Sequence, residues 1–140
     1  MKAITTYKGY FGRLKKGEEI VTSLTALISN MGIRNGKITA IGAAERLKLG
    51  FYDSDGRKYQ YKDFTGKYEI TSLTGNISLV GKEPFAHMHI NISDEAFHTY
   101  GGHLFEGYVS ITCEFIIELF DTEYQRTFDE ETGLYLINVK

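Results

Sequence analysis

The sequence predicts a single α+β domain in which one N-terminal helix packs on a β-sheet. Three observations carry this. Ile20, Leu24, Leu27, Ile28 and Met31 recur at helical spacing and leave one apolar stripe. From Gly36 to the end, apolar and polar residues alternate in runs separated by glycines, which is the period of half-buried strands. Ten Tyr, nine Phe, fifteen Gly and one Pro suit a sheet with glycine turns.

At 140 residues, 42% hydrophobic and 24% charged, the chain is expected to form one domain over residues 1–140, large enough to bury a core without staples. A net charge of −2 argues against a broad basic face for nucleic acid. The first residues, MKAITTYKGYFGRLKKGEE, lack the apolar run of a signal peptide, and no stretch approaches the roughly 18 apolar residues of a membrane span. The expectation is a cytoplasmic protein with no membrane partner. The single cysteine, Cys113, has no intrachain disulfide partner and falls on the apolar side of a strand, where it is expected to be inert.

In chain order, residues from about Ile4 to Leu14 read as a short first strand. Gly17-Glu18-Glu19 opens the helix, with its acids at the positive end of the helix dipole, and Gly32 caps its C-terminus. Lys37 to Ala44 is small and apolar, a strand close enough to another element for the helix to cover it. Leu47, Leu49 and Phe51 alternate with Arg46, Lys48 and Tyr52 as a further strand. Asp53-Ser54-Asp55-Gly56 lacks the Glu of a calcium loop and is predicted to be a hairpin turn. Tyr59 and Tyr61 mark the returning strand, which Gly66 is expected to end. Tyr68 to Val80 is predicted to form two short strands around Gly75-Asn76. Tyr108 to Phe120 has the cleanest alternation. Val109, Ile111, Cys113, Phe115, Ile117 and Leu119 share one face, and its length predicts a central strand. Asp129-Glu130-Glu131-Thr132-Gly133 is a polar turn before a closing edge strand, Leu134 to Val139.

All four histidines fall between Phe85 and Leu104. His87 and His89 stand two apart in an alternating run, so on a strand they share a face while Met88, Ile90 and Ile92 point to the core. His103 follows Gly101-Gly102, a pair that permits a sharp turn and close strand approach. His98 lacks such spacing and is read as a loop residue. Three neutral imidazoles are a donor set for zinc first, with iron, nickel or copper as rivals, and they leave a fourth tetrahedral position open. The competing reading is that the imidazoles hydrogen-bond across a subunit interface. Glu69, Glu83 and Glu114 are the carboxylates available as a base or as orienting partners for the rings.

The segments Arg13-Leu14, Gly17-Glu18-Glu19, Gly32-Ile33, Gly36-Lys37-Ile38 and Ile41-Gly42-Ala43 are in the order of a known pattern. It continues through Gly66-Lys67-Tyr68-Glu69-Ile70-Thr71-Ser72-Leu73-Thr74-Gly75-Asn76-Ile77, His87-Met88-His89, Gly101-Gly102-His103-Leu104 and Phe128 to Leu134. Over nearly its whole length the chain resembles the plant and prokaryote conserved (PPC) domain in its free-standing prokaryotic form. The resemblance implies an α+β fold with an antiparallel sheet and a packed helix, and assembly as a homotrimer. In land plants the similar domain follows an AT-hook in nuclear DNA-binding regulators. Here the Arg-Gly-Arg-Pro core that would enter a minor groove is missing, since Gly-Arg occurs only at Gly12-Arg13 and Gly56-Arg57 and the sole proline is Pro84. His-x-His also begins the cupin pattern, but Asn91-Ile92-Ser93-Asp94 follows where a cupin needs Glu.

Three functions compete. The favoured one is a homotrimeric module holding a divalent metal, most simply zinc, on His87, His89 and His103, with small-molecule chemistry beside it. A DNA-associated regulator is the second. A protein-interaction scaffold, presenting Gly66 to Leu73 with Tyr59, Tyr61 and Tyr68, is the third.

Overall fold

The computed structural model describes residues 2–6 and 8–139, with side chains from residue 8 onward. Among the described residues, one helix and eight strands follow in the order β1 (Lys2–Thr6), β2 (Gly9–Lys15), α1 (Ile20–Asn30), β3 (Gly36–Asp53), β4 (Lys58–Val80), β5 (Glu83–Ser93), β6 (Thr99–Glu118), β7 (Gln125–Asp129) and β8 (Leu134–Ile137). All pairings are antiparallel except the short β4–β7 contact. The α+β expectation therefore holds. β3 pairs with β4 and β6, and β5 pairs with the same two, so these four strands close a ring of pairings.

The helix forms where its spacing predicts. Ile20, Leu24 and Ile28 are buried on one face, each contributing about 2 kcal/mol by leaving water. Glu19 is the N-cap rather than a first-turn acid: its carboxylate accepts from Val21 N at 3.1 Å and Thr22 N at 2.7 Å, and also from Gly107 N on β6 at 3.0 Å. One side chain thus satisfies two helix amides and ties the helix to the sheet. Glu19→Ala is expected to cost about 2 kcal/mol, measured by urea unfolding. Met31 occupies the C-cap, with Gly32 one residue beyond.

The strands are fewer and longer than the glycine punctuation suggests. Lys37–Ala44 and Leu47–Tyr52 are one strand, β3, kinked by register shifts between Ala40 and Gly42 and between Glu45 and Leu47. Gly66 does not end its strand. It lies between the pairs Phe64–Leu47 and Lys67–Glu45, so it marks a bulge inside β4. Gly75-Asn76 likewise lies mid-strand, paired on both sides. At the N-terminus the predicted single strand is a hairpin, β1 with β2. The Asp53 to Gly56 turn does join β3 to β4, with Asp53 Oδ1 accepting from Asp55 N.

β6 pairs with β2, β3 and β5 and is central, as its length implies. Between Tyr108 and Glu118 its alternation breaks once. Three residues, 110–112, oppose a single residue of β3 between the pairs Gly42–Cys113 and Ala44–Val109. That bulge throws Ile111 out to 71% exposure while Val109, Cys113, Phe115 and Ile117 stay buried. Burial pushes the Cys113 thiol up to about 12, so it is inert at neutral pH.

Candidate metal centre

β5 carries His87 and His89 on one face and buries Met88, Ile90 and Ile92 on the other. β6 lies beside it in a register that sets His103 directly opposite His89. Gly101 and Gly102 do not turn the chain sharply; both lie within β6. Their predicted close approach is present: a Cβ on Gly102 would lie 2.8 Å from Gly50 O, and one on Gly101 2.3 Å from Asn91 Oδ1. Small size there lets β6 sit against β3 and β5 and brings His103 to its partners.

One ring nitrogen from each of the three histidines lies within 4.8 Å of the others. The Nε2 atoms of His87 and His89 are 3.1 Å apart. Three nitrogens bound tetrahedrally at zinc distances would be separated by about 3.3 Å, so the His87–His89 pair already stands at the spacing an ion needs. His103 Nδ1 is buried and has no hydrogen-bond partner, an unpaired nitrogen of the kind that buried polar groups avoid. These features fit a divalent cation. His98 stays apart, exposed, with its Nδ1 3.4 Å from Asp94 Oδ2.

The environment holds the His87 and His103 imidazoles neutral. Desolvation, then His89 and Arg126, lowers the His87 pKa to about 4; desolvation, then His87 and His89, lowers that of His103 to about 4. An ordinary histidine titrates near 6.5. Between pH 6.5 and 4 the unfolded chain therefore binds protons that the folded chain does not, and stability rises with pH across that window. The thermal midpoint of metal-free protein is expected to fall as pH is lowered from 6.5 to 4, and to fall less in a His87→Gln/His103→Gln double variant.

Beside the histidines lies a cavity of about 560 Å³, within the usual range for small-molecule sites. Phe85, His87, His103, Phe105, Arg126 and Leu134 contribute to its lining. Phe105 packs on His103 at 4.4 Å between ring centroids, and Tyr59 at 5.3 Å. Tyr59 is thus part of this wall, whereas Tyr61 is 58% exposed. None of the described residues lining the cavity is acidic. Glu69 lies opposite Ala43 and Ser93, Glu83 opposite Val80, and Glu114 opposite Arg13 and Ile41, so none of these carboxylates joins the histidines. Arg126 was not foreseeable from periodicity. It arrives on β7, a five-residue strand whose sequence QRTFD has no apolar alternation.

The sequence profile of the Plants and Prokaryotes Conserved (PCC) domain matches residues 1–121. Among solved structures, a candidate DNA-binding protein from Bacteroides thetaiotaomicron is similar with a TM-score of 0.95 at 29% identity, over 98% of this chain and 96% of that one. A metal-containing protein from Archaeoglobus fulgidus is similar with a TM-score of 0.85 at 33% identity, over 99% and 100%. A plant- and prokaryote-conserved protein from Pyrococcus horikoshii gives 0.85 at 30% identity, over 98% and 99%. No curated protein matches the chain.

Proposed function

Because this chain belongs to the Plants and Prokaryotes Conserved (PCC) domain family, the PPC domain of its sequence pattern, we propose that it is a homotrimeric metal-binding protein. His87, His89 and His103 hold one divalent ion, zinc foremost. The observation that carries this reading is the convergence of three imidazole nitrogens within 4.8 Å, one of the rings bearing a buried nitrogen without a partner. The metal-containing description of the Archaeoglobus neighbour supports it. When bound by three protein ligands, such an ion supplies Lewis acidity at an open coordination position. The adjoining cavity gives a small molecule room beside it.

Self-association is supported by an apolar face on β2, β3 and β6. Phe11 lies opposite Ile116, with Ile41 nearby, and all three are large side chains left exposed. Contiguous apolar groupings of this kind mark interaction sites. The DNA-binding description carried by the Bacteroides neighbour finds less to rest on here, since the net charge is −2.

Elemental analysis of untagged protein purified without chelator, with solution mass recorded on the same sample, tests the proposal. About one metal per chain and a mass of three chains are expected. Protein that stays metal-free after incubation with zinc, iron or nickel contradicts the metal reading, and a monomeric mass contradicts the assembly.

A further inference from the structure

Arg126 is only 8% exposed, yet among the described residues no carboxylate pairs with it. Its Nε donates to Ser78 Oγ at 2.6 Å, Nη1 to Tyr135 O at 3.0 Å and Nη2 to Asn76 Oδ1 at 2.8 Å. Every acceptor is neutral. The nearest acid on its own strand, Asp129, is committed to the Thr132 amide and hydroxyl. A structural clasp between β4, β7 and β8 accounts for the three hydrogen bonds and the Phe85 ring faces the guanidinium at 5.2 Å, but no anion among the described residues balances the desolvated positive charge, an arrangement that is costly in a protein interior. The guanidinium has five N–H groups and these contacts leave two of them over. It lines the same cavity as His87 and His103, and Phe85, Leu134 and Leu136 give that cavity apolar walls.

We infer that this cavity binds a small molecule made of a carboxylate head and an apolar, ring-sized body, with the carboxylate against the Arg126 guanidinium. Two remaining N–H groups match the two oxygens of one carboxylate. A phosphate dianion would be served less well, because Arg126 is the sole cationic side chain among the described lining residues. The Phe105 and Tyr59 rings, which pack on each other and on His103, suit a ring at the other end. The inference deepens the metal-site reading, since the cavity is also lined by two of the proposed ligands, but the anchoring charge belongs to the protein itself.

The test titrates 3-phenylpropanoate, 3-phenylpropanamide and phenyl phosphate into the intact protein, as purified and after chelator treatment, with affinities from calorimetry and the site from NMR shifts. The carboxylate is expected to bind at least tenfold more tightly than the isosteric amide, to perturb Arg126 and Phe85, and to keep that preference after metal removal. Arg126→Gln should abolish the discrimination. Because that variant removes a buried clasp, the comparison of carboxylate with amide on the parent decides the matter without it. Equal affinity for acid and amide, no binding of either, tighter binding of phenyl phosphate, or shifts confined to another surface would each overturn the inference. Metal content is measured on the same samples. Protein that takes up no zinc, iron or nickel on incubation and still discriminates refutes the metal reading and upholds this one, whereas a metal-loaded protein without discrimination does the reverse.

Discussion

His103→Ala is expected to reduce bound metal from about one ion per chain to under about a tenth, the largest effect of any single substitution at the site. In the proposed site, His103 is the member of the cluster that only the fold supplies. His87 and His89 are neighbours on one strand, whereas His103 reaches them because β6 pairs with β5 in the register that opposes it to His89. Two imidazoles without the third leave an ion half-solvated, and its affinity falls accordingly. The metal-free variant should keep its fold, since the ring removed is only half buried and its Nδ1 has no hydrogen-bond partner to lose. His98→Ala is the matched control, because His98 is exposed and paired with Asp94. Metal content by elemental analysis, with far-ultraviolet circular dichroism for folding, checks both. Equal loss in the two variants would contradict the assignment.

Gly75→Ala is expected to destabilise the metal-free protein by about 3 kcal/mol, at the upper end of overpacking costs. For a chain of this length that lowers Tm by roughly 10 °C. Gly75 pairs with Ile38 on β3 and Met88 on β5. A Cβ there would meet His87 O at 2.3 Å and Met88 Cα at 3.1 Å, both backbone atoms of β5. β4 is hydrogen-bonded on both sides and has no free direction in which to yield. Relief therefore comes from pushing β5 away at His87, so weaker metal binding should accompany the lost stability. Gly107→Ala is the comparison: its added carbon would meet only side-chain atoms of Leu47 and Leu104, at 3.3 to 3.5 Å, and should cost under about 1 kcal/mol. Calorimetric midpoints of the two variants decide the point, and similar losses would contradict the close-approach argument.

How much of this was legible in the sequence depended on whether the deciding information was local. The Ile20 to Met31 stripe declared the helix because its period is set by the helix itself. His87 and His89 declared a shared face for the same reason, and the alternation from Met88 to Ile92 declared the opposite one. Gly66 and Gly75 misled, since a glycine inside a strand and a glycine ending one look alike until the partner strands are known. The same holds for Ile111, whose outward turn is fixed by the extra residues that β6 places against β3. Arg126 was the largest omission. Nothing in QRTFD signals burial, and its place in the cavity follows from the short pairing of β7 with β4 and β8. The histidines of the cluster were thus readable from spacing and family resemblance, whereas the cavity beside it was a product of long-range pairing.

The central claim is that three histidines from two paired strands hold one ion, and anomalous X-ray diffraction at the absorption edge of the bound metal tests it most directly. The account predicts one peak per chain, about 2.1 Å from a ring nitrogen of each of His87, His89 and His103. A peak on any other residues, or none from protein loaded with zinc, would contradict it.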